Sequence, residues 1–130
     1  MRELAVVVDQ HHHPIYWHTP WGATAVSVPD SRVLWEAMWD RRHDIAGVAH
    51  LHPGVGVPRP SLEDVTTFAA CEAGLGRRLV WWIATADDVR GFSWAGPDPT
   101  IDRLVYRSRH VPADEARAWL AELRIRGWEA

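Results

Sequence analysis

The segment 45–64 constrains the fold more than any other part of the chain. A short apolar run, 45–49, is followed by His50 and His52, which stand two residues apart. Side chains two residues apart lie on the same face of a strand, so a strand here directs both imidazoles to one point. Pro53 follows at once and ends the strand. The segment therefore predicts a buried strand that leaves the sheet immediately after a pair of histidines.

A helix start follows the two histidines. A loop of Gly, Val and Pro residues leads to Ser61, which is a good N-cap, and Asp64 falls in the first turn of the helix. Two neutral imidazoles and one carboxylate suit zinc and leave a fourth position open to water. A closed structural zinc site would normally recruit cysteines, and the chain has only Cys71. The pattern favours an open, catalytic zinc site at His50, His52 and Asp64.

Each part of this pattern also has a simpler interpretation. Alone, His50 and His52 could be ordinary histidines of a strand. Ser61 with Asp64 is also a plain capping arrangement, in which the serine side chain accepts a hydrogen bond from a backbone N–H and the acid suits the helix dipole. The order of the parts, with a proline-bounded loop between them, favours the metal site.

Composition limits the class of protein. A chain of 130 residues fits a single domain, 1–130, and 47% hydrophobic with 24% charged residues is ordinary for a globular protein. A net charge of −3 gives no electrostatic case for nucleic acid or for a membrane surface. One cysteine excludes an internal disulfide and suits a reducing, cytoplasmic compartment. The apolar run 4–8 is too short for a signal peptide or a membrane span.

Periodicity predicts an α/β (α+β) fold in which a mixed central sheet is flanked by about three helices. Strands are predicted at 4–8, 23–28, 45–52, 79–85, 89–94 and 101–106. Helices are predicted from residue 30 or 31 to about 42, from 61 to about 75, and from 113 to 126. Loops are predicted at 10–21 and 96–99, and a turn at 87–88.

Nine tryptophans could supply much of the core. Trp81 and Trp82, adjacent on an apolar strand, are predicted to enter the core on the two sides of the sheet. Trp35 and Trp39 form an i,i+4 pair that is more often core than a docking surface. Cys71 has the spacing of a core residue and is predicted to act as a small hydrophobe.

The histidines 11–13, with His18 nearby, could indicate a second metal site. A solvated loop is the simpler interpretation of this segment. If that loop borders the active site, it could line the substrate groove.

At the residues of the first segment the chain resembles the JAB/MPN (JAMM) zinc metalloprotease family, as a small, prokaryotic-type single-domain member. The family pattern is an upstream glutamate, then His-x-His-Pro, a short loop and Ser-x-x-Asp. The matching residues are His50-Leu51-His52-Pro53 and Ser61-Leu62-Glu63-Asp64, with Gly47 and Pro60 at positions where members often carry them. The resemblance implies an MPN/JAB-like (cytidine-deaminase-like) fold.

The resemblance also implies the roles of the residues. His50, His52 and Asp64 would bind Zn²⁺, and Ser61 would donate a hydrogen bond to the oxyanion or to the zinc-bound water. The family glutamate usually opens a buried strand well before the histidines, which implies that Glu3 is the general base. Glu36 is the alternative.

Three departures from the family pattern accompany this assignment. An additional helix usually precedes the glutamate, whereas only two residues precede Glu3. Either that helix is dispensable, or a homodimer or a partner protein supplies it, or Glu3 is not the base. The glycines that usually follow the glutamate are missing. Eight residues separate His52 from Ser61, where seven are common, and a surface loop absorbs one residue easily.

The function implied is that of an isopeptidase or peptidase that cleaves at the C-terminus of ubiquitin-like or sulfur-carrier proteins, with the tail held by β-strand addition. A non-catalytic MPN-type scaffold and a zinc hydrolase of small peptides are the alternatives.

Overall fold

The structure is a computed structural model that describes residues 4–19, 32–101 and 103–129. In this part of the chain it is a mixed α+β fold with one six-stranded sheet and four helices. The strands are β1 Ala5–Asp9, β2 Pro14–His18, β3 Ile45–Leu51, β4 Val80–Ala84, β5 Val89–Asp98 and β6 Arg103–His110. The helices are α1 Arg32–Asp40, α2 Leu62–Leu75, α3 Ala113–Ala116 and α4 Leu120–Glu129.

The sheet has the strand order β2-β1-β3-β4-β5-β6. Only β3 and β4 pair in parallel, and every other neighbouring pair is antiparallel. A parallel pair needs a crossover connection, and α2 supplies it. Because β3 and β4 are buried on both faces, both segments consist mostly of apolar residues.

Apolar side chains pack on both faces of the sheet. Trp81 joins a cluster with Phe68 of α2 on one face, and Trp82 joins a cluster with Trp119 on the other. This confirms that the two adjacent tryptophans enter the core on two sides. Trp35 is partly buried as predicted, whereas Trp39 is 43% exposed, so its predicted core position is wrong.

Two predicted loops are wrong in part. β2 lies within 10–21, where its pairing with β1 provides backbone hydrogen bonds that the local sequence does not reveal. Pro14 is tolerated there because it is the first residue of an edge strand. β5 continues to Asp98 through the predicted loop 96–99, because an irregularity between Trp94 and Gly96 lets the strand keep its pairing with β6.

The other boundaries differ by smaller amounts. β6 runs to His110 rather than ending at 106, and the single helix predicted over 113–126 is divided by a turn at 117–119. The predicted strand 23–28 lies outside the described residues. Within the described ranges, no helix is both long and apolar enough to cross a membrane.

Gly47 allows β3 to approach β4, and its substitution provides a test of the fold. A Cβ added at Gly47 would lie 1.9 Å from the carbonyl oxygen of Val80, so Gly47→Ala must push the two strands apart. We expect the free energy of unfolding to fall by about 2 kcal/mol or more, measured by chemical denaturation. Gly91→Ala is the control, since its Cβ would meet only the flexible side chain of Arg109, at 3.3 Å. Equal losses in the two variants would contradict this explanation.

Candidate metal centre

Three of the predicted site residues meet where β3 ends and α2 begins. The Nε2 atoms of His50 and His52 lie 2.9 Å apart. Oδ2 of Asp64 lies 3.2 Å from Nε2 of His52 and 3.9 Å from Nε2 of His50. Among the described residues, these three form the only group of at least three His, Cys, Asp or Glu side chains that could hold a metal ion.

The alternation of β3 gives the histidines their direction. Ala49 and Leu51 belong to the core on the Trp82 face, and Val48 belongs to the core on the α2 face. His50 shares the face of Val48, and its ring lies 6.1 Å from the ring of Phe68 in α2. His50 is therefore buried against the core, whereas His52 and Asp64 are partly exposed.

Ser61 holds Asp64 in place through a capping box at the start of α2. The backbone N–H of Ser61 donates to Oδ2 of Asp64 over 2.9 Å, and the backbone N–H of Asp64 donates to Oγ of Ser61 over 3.0 Å. The capping interpretation and the metal interpretation are therefore compatible, because the cap orients the carboxylate toward the histidines. A hydroxyl that accepts one hydrogen bond still has its own proton to donate.

The eight-residue loop between His52 and Ser61 is tied to the turn between β4 and β5. The N–H of Ala86 donates to the carbonyl of Gly54 over 3.1 Å. The N–H of Gly56 donates to Oδ1 of Asp87 over 2.6 Å, and the hydroxyl of Thr85 donates to the carbonyl of Gly56 over 2.6 Å. Gly54 and Gly56 both have positive φ, which this path of the chain requires.

Arg124 of α4 holds the turn between β4 and β5 in place. Its guanidinium donates to the carbonyls of Thr85 and Asp88 over 2.9 and 3.0 Å. The sequence predicted a turn at 87–88, and the structure confirms it. Its contact with the loop was missed, because residues about thirty positions apart give no local signal of pairing.

The pKa values of the cluster favour metal binding. Burial lowers the pKa of His50, so its imidazole is neutral near pH 7. Burial would raise the pKa of Asp64, but the nearby imidazoles of His50 and His52 and the backbone N–H of Ser61 outweigh it and hold that pKa well below its ordinary value. Two imidazole nitrogens and a carboxylate oxygen this close can share the hydrogen of a neutral imidazole or hold a metal ion between them.

The distances also fit a metal ion of the size of zinc. Ligand atoms at about 2.0 Å from a tetrahedral zinc ion are about 3.3 Å apart. The three observed separations, 2.9, 3.2 and 3.9 Å, lie on both sides of that value. Because His52 and Asp64 are partly exposed, the cluster is open to solvent on one side, as a catalytic site requires.

Of the two candidate general bases, Glu3 and Glu36, the structure describes only Glu36. Glu3 lies outside the described residues, but Leu4, to which it is bonded, accepts a hydrogen bond from the N–H of Leu51 over 3.0 Å. Glu36 is exposed and forms an ion pair with Arg32 over 2.8 Å.

The remaining predicted residues lie elsewhere. Residues 11–13 belong to the turn between β1 and β2, at the end of β1 farthest from His50, so this turn does not border the cluster. His18 is buried on β2, and burial lowers its pKa. Cys71 is partly buried against the α2-face core, as predicted for a small hydrophobe.

The sequence analysis missed Glu72, which is 2% exposed. Its carboxylate accepts hydrogen bonds from the N–H of Leu79, the indole of Trp81, the guanidinium of Arg78 and the hydroxyl of Tyr106. Burial and the neighbouring Glu72 raise the pKa of Tyr106 above its ordinary value. The available signal was a glutamate four residues after Phe68, on the apolar face of α2.

No protein-family model matches the chain, and a search of curated proteins finds no significant match. The likeness to JAB/MPN proteases therefore rests on the motif residues, and the metal centre rests on its own geometry.

The ligand assignment is tested by substituting Asp64 beside its neighbour Glu63, which also lies in the first turn of α2 but outside the cluster. We expect the unaltered chain and Glu63→Ala to bind about one zinc ion each and to gain about 2.7 kcal/mol of stability at a hundredfold excess of zinc over Kd. Asp64→Ala should gain none. Calorimetric titration and thermal unfolding measure both effects, and stoichiometric zinc in Asp64→Ala would refute the assignment.

Proposed function

We propose that this chain is a zinc-dependent peptidase or isopeptidase of the JAB/MPN type, on an MPN-like fold, that cleaves at the C-terminus of ubiquitin-like or sulfur-carrier proteins. The observation that carries the proposal is the convergence of His50, His52 and Asp64 within 3.9 Å, with Ser61 bonded to the carboxylate. Zinc held there would supply a Lewis acid that lowers the pKa of a bound water to about 7 and polarises a carbonyl.

The residues of the site have separate roles in metal binding and in stabilisation of the oxyanion. His50 is the buried ligand and is neutral because burial lowers its pKa. His52 and Asp64 form the solvent-facing side, from which the substrate approaches. Ser61 donates its hydroxyl hydrogen to the oxygen that becomes negative when the scissile carbonyl is attacked. Its position is fixed by the hydrogen bond from Asp64, so little reorganisation is needed during the reaction.

Glu3 is the general base in this proposal. Consecutive Cα atoms are about 3.8 Å apart, so Glu3 is one step from Leu4, whose carbonyl is bonded to the residue before His52. Glu36 is the weaker candidate because its carboxylate is engaged by Arg32 at the surface.

The substrate class is tested with the purified, zinc-loaded chain. The probes are ubiquitin-like and sulfur-carrier proteins that carry a short C-terminal extension, beside free peptides with the same scissile sequence. We expect cleavage of the extended proteins and little cleavage of the peptides, because strand addition and a folded tag protein contribute to binding. Equal cleavage of both would favour a small-peptide hydrolase, and stoichiometric zinc without any cleavage would favour a scaffold.

Glu3→Gln removes the proposed base without altering side-chain size. Turnover should fall about 10²–10⁴-fold while zinc content and thermal stability stay unchanged, since general-base catalysis contributes that much. Glu36→Gln is the matched control and should retain turnover. The base assignment is wrong if the two variants exchange these results.

Ser61 has two roles, which two substitutions separate. Ser61→Gly is tolerated at an N-cap, so it should cost only about a few tenths of a kcal/mol of stability but lower turnover about 10²–10³-fold through loss of the hydroxyl donor. Ser61→Ala should lose about 1 kcal/mol of stability as well. Steady-state kinetics and denaturation measure the two effects. Full turnover in Ser61→Gly would limit Ser61 to capping.

A further inference from the structure

A cleft of about 410 Å³ lies at the opposite end of the sheet from the metal centre. The metal centre is where β3 ends, whereas the cleft is where β3 and β4 begin. Three arginines line it, together with the indoles of Trp82 and Trp94. Its residues are separate from the group formed by His50, His52 and Asp64.

Glu72 fixes the first of these arginines. Its Oε1 accepts a hydrogen bond from Nη1 of Arg78 over 3.1 Å, while its Oε2 accepts from the indole of Trp81 over 3.2 Å. The guanidinium of Arg78 also lies over the ring of Trp94, 4.0 Å from its centroid. Burying a carboxylate is costly unless it is paired and hydrogen-bonded, and here the ion pair with Glu72 and the contact with Trp94 limit the orientation of Arg78.

Glu115 fixes a second arginine in the same way, from the other face of the sheet. Its Oε2 accepts a hydrogen bond from the indole of Trp82 over 2.6 Å and from Nη2 of Arg109 over 2.9 Å. The adjacent tryptophans of β4 thus each orient one carboxylate, and each carboxylate orients one arginine. Two guanidiniums are held at one cleft from opposite faces of the sheet.

The charges of this arrangement do not cancel. Arg77 is the third arginine of the cleft and donates to the carbonyl of Arg42 over 3.3 Å, an uncharged partner. Three guanidiniums therefore face two carboxylates, which leaves one excess positive charge. A guanidinium has five N–H donors in a planar fork, so each arginine can bind a ligand oxygen while keeping its present partner.

The arginines and the volume of the cleft favour an organic phosphate as its ligand. A carboxylate offers two oxygens, whereas a phosphate monoester offers three oxygens and up to two negative charges to several guanidiniums. The volume lies within the range of small-molecule sites and exceeds the needs of a lone phosphate ion. The indole of Trp94 is partly exposed and provides an apolar surface for the rest of the ligand, whereas Trp82 belongs to the core.

We propose that this cleft binds a phosphate monoester carried on a small planar molecule, of the size of a mononucleotide. The proposal is independent of the metal centre and of the peptidase function. Phosphate on the arginines supplies the charge recognition, and the ring against the indole of Trp94 supplies the remaining affinity.

Calorimetric titration of the full chain with adenosine 5′-monophosphate, inorganic phosphate and adenosine tests the proposal. We expect saturable binding of the monophosphate at one site per chain, weaker and competing binding of phosphate, and no measurable binding of adenosine. His52→Ala, which disables the metal centre, should bind the monophosphate as the unaltered chain does. Binding of the monophosphate by His52→Ala is expected whether or not the chain has the proposed peptidase activity.

Arg77→Gln is the sharpest variant because it leaves both carboxylate pairs intact. Loss of one charge-assisted contact should weaken binding of the monophosphate about tenfold. Arg109→Lys keeps the charge but loses the fork, and should also weaken binding. Arg103→Gln, an exposed arginine of β6 outside the cleft, is the control and should change Kd less than twofold.

Three outcomes would overturn the proposal. One is the absence of saturable binding of both the monophosphate and phosphate. Another is an equal loss of affinity in Arg77→Gln and Arg103→Gln, which would indicate diffuse attraction by surface charge. The third is binding of a single-stranded oligonucleotide without binding of the monophosphate.

Discussion

The packing of α2 against the sheet through Phe68 determines where both polar regions of the molecule lie. The ring of Phe68 stacks on that of Trp81 with centroids 4.3 Å apart, and it contacts the ring of Tyr106 at 5.4 Å. Positions 64, 68 and 72 share one face of the helix. Asp64 therefore meets the histidines at one end, and Glu72 enters the core about 12 Å farther along the axis.

The crossover explains why the metal centre forms at this end of the sheet. β3 and β4 run in parallel, so the chain must return from the end of β3 to the start of β4. α2 makes this return, and its first turn is consequently near the last residues of β3. Ligand sites at the carboxyl ends of strands, next to a helix start, arise in open α/β sheets for the same reason. The cleft lies where α2 delivers the chain to β4.

The sequence predicted the grouping of the candidate metal ligands better than it predicted the sheet. His50, His52, Ser61 and Asp64 carry local signals, namely strand alternation, a proline stop and a helix cap, and the structure brings all four together. Pairing partners are not local, which is why β2 and the end of β5 were predicted as loops. Their strand character comes from neighbours in the sheet and not from their own residues.

Buried charges were the hardest feature to predict. Glu72 and Tyr106 are 34 positions apart, and Glu115 and Trp82 are 33 apart, so each carboxylate has one partner that a local window of sequence does not contain. Glu72 is compatible with the core because four donors surround it, including the main chain of Leu79. Two of the nine tryptophans, Trp81 and Trp82, do more than fill the core, because their indole N–H groups also orient carboxylates.

X-ray absorption spectroscopy at the zinc edge of the loaded protein tests the central claim most directly. The account predicts two imidazole nitrogens and one or two oxygens at about 2.0–2.1 Å, in four-coordinate geometry. It also predicts that imidazole scattering per zinc is weaker in His50→Asn, because only His52 remains as an imidazole ligand. A sulfur ligand, a six-coordinate shell of oxygens or an unchanged spectrum in His50→Asn would contradict it.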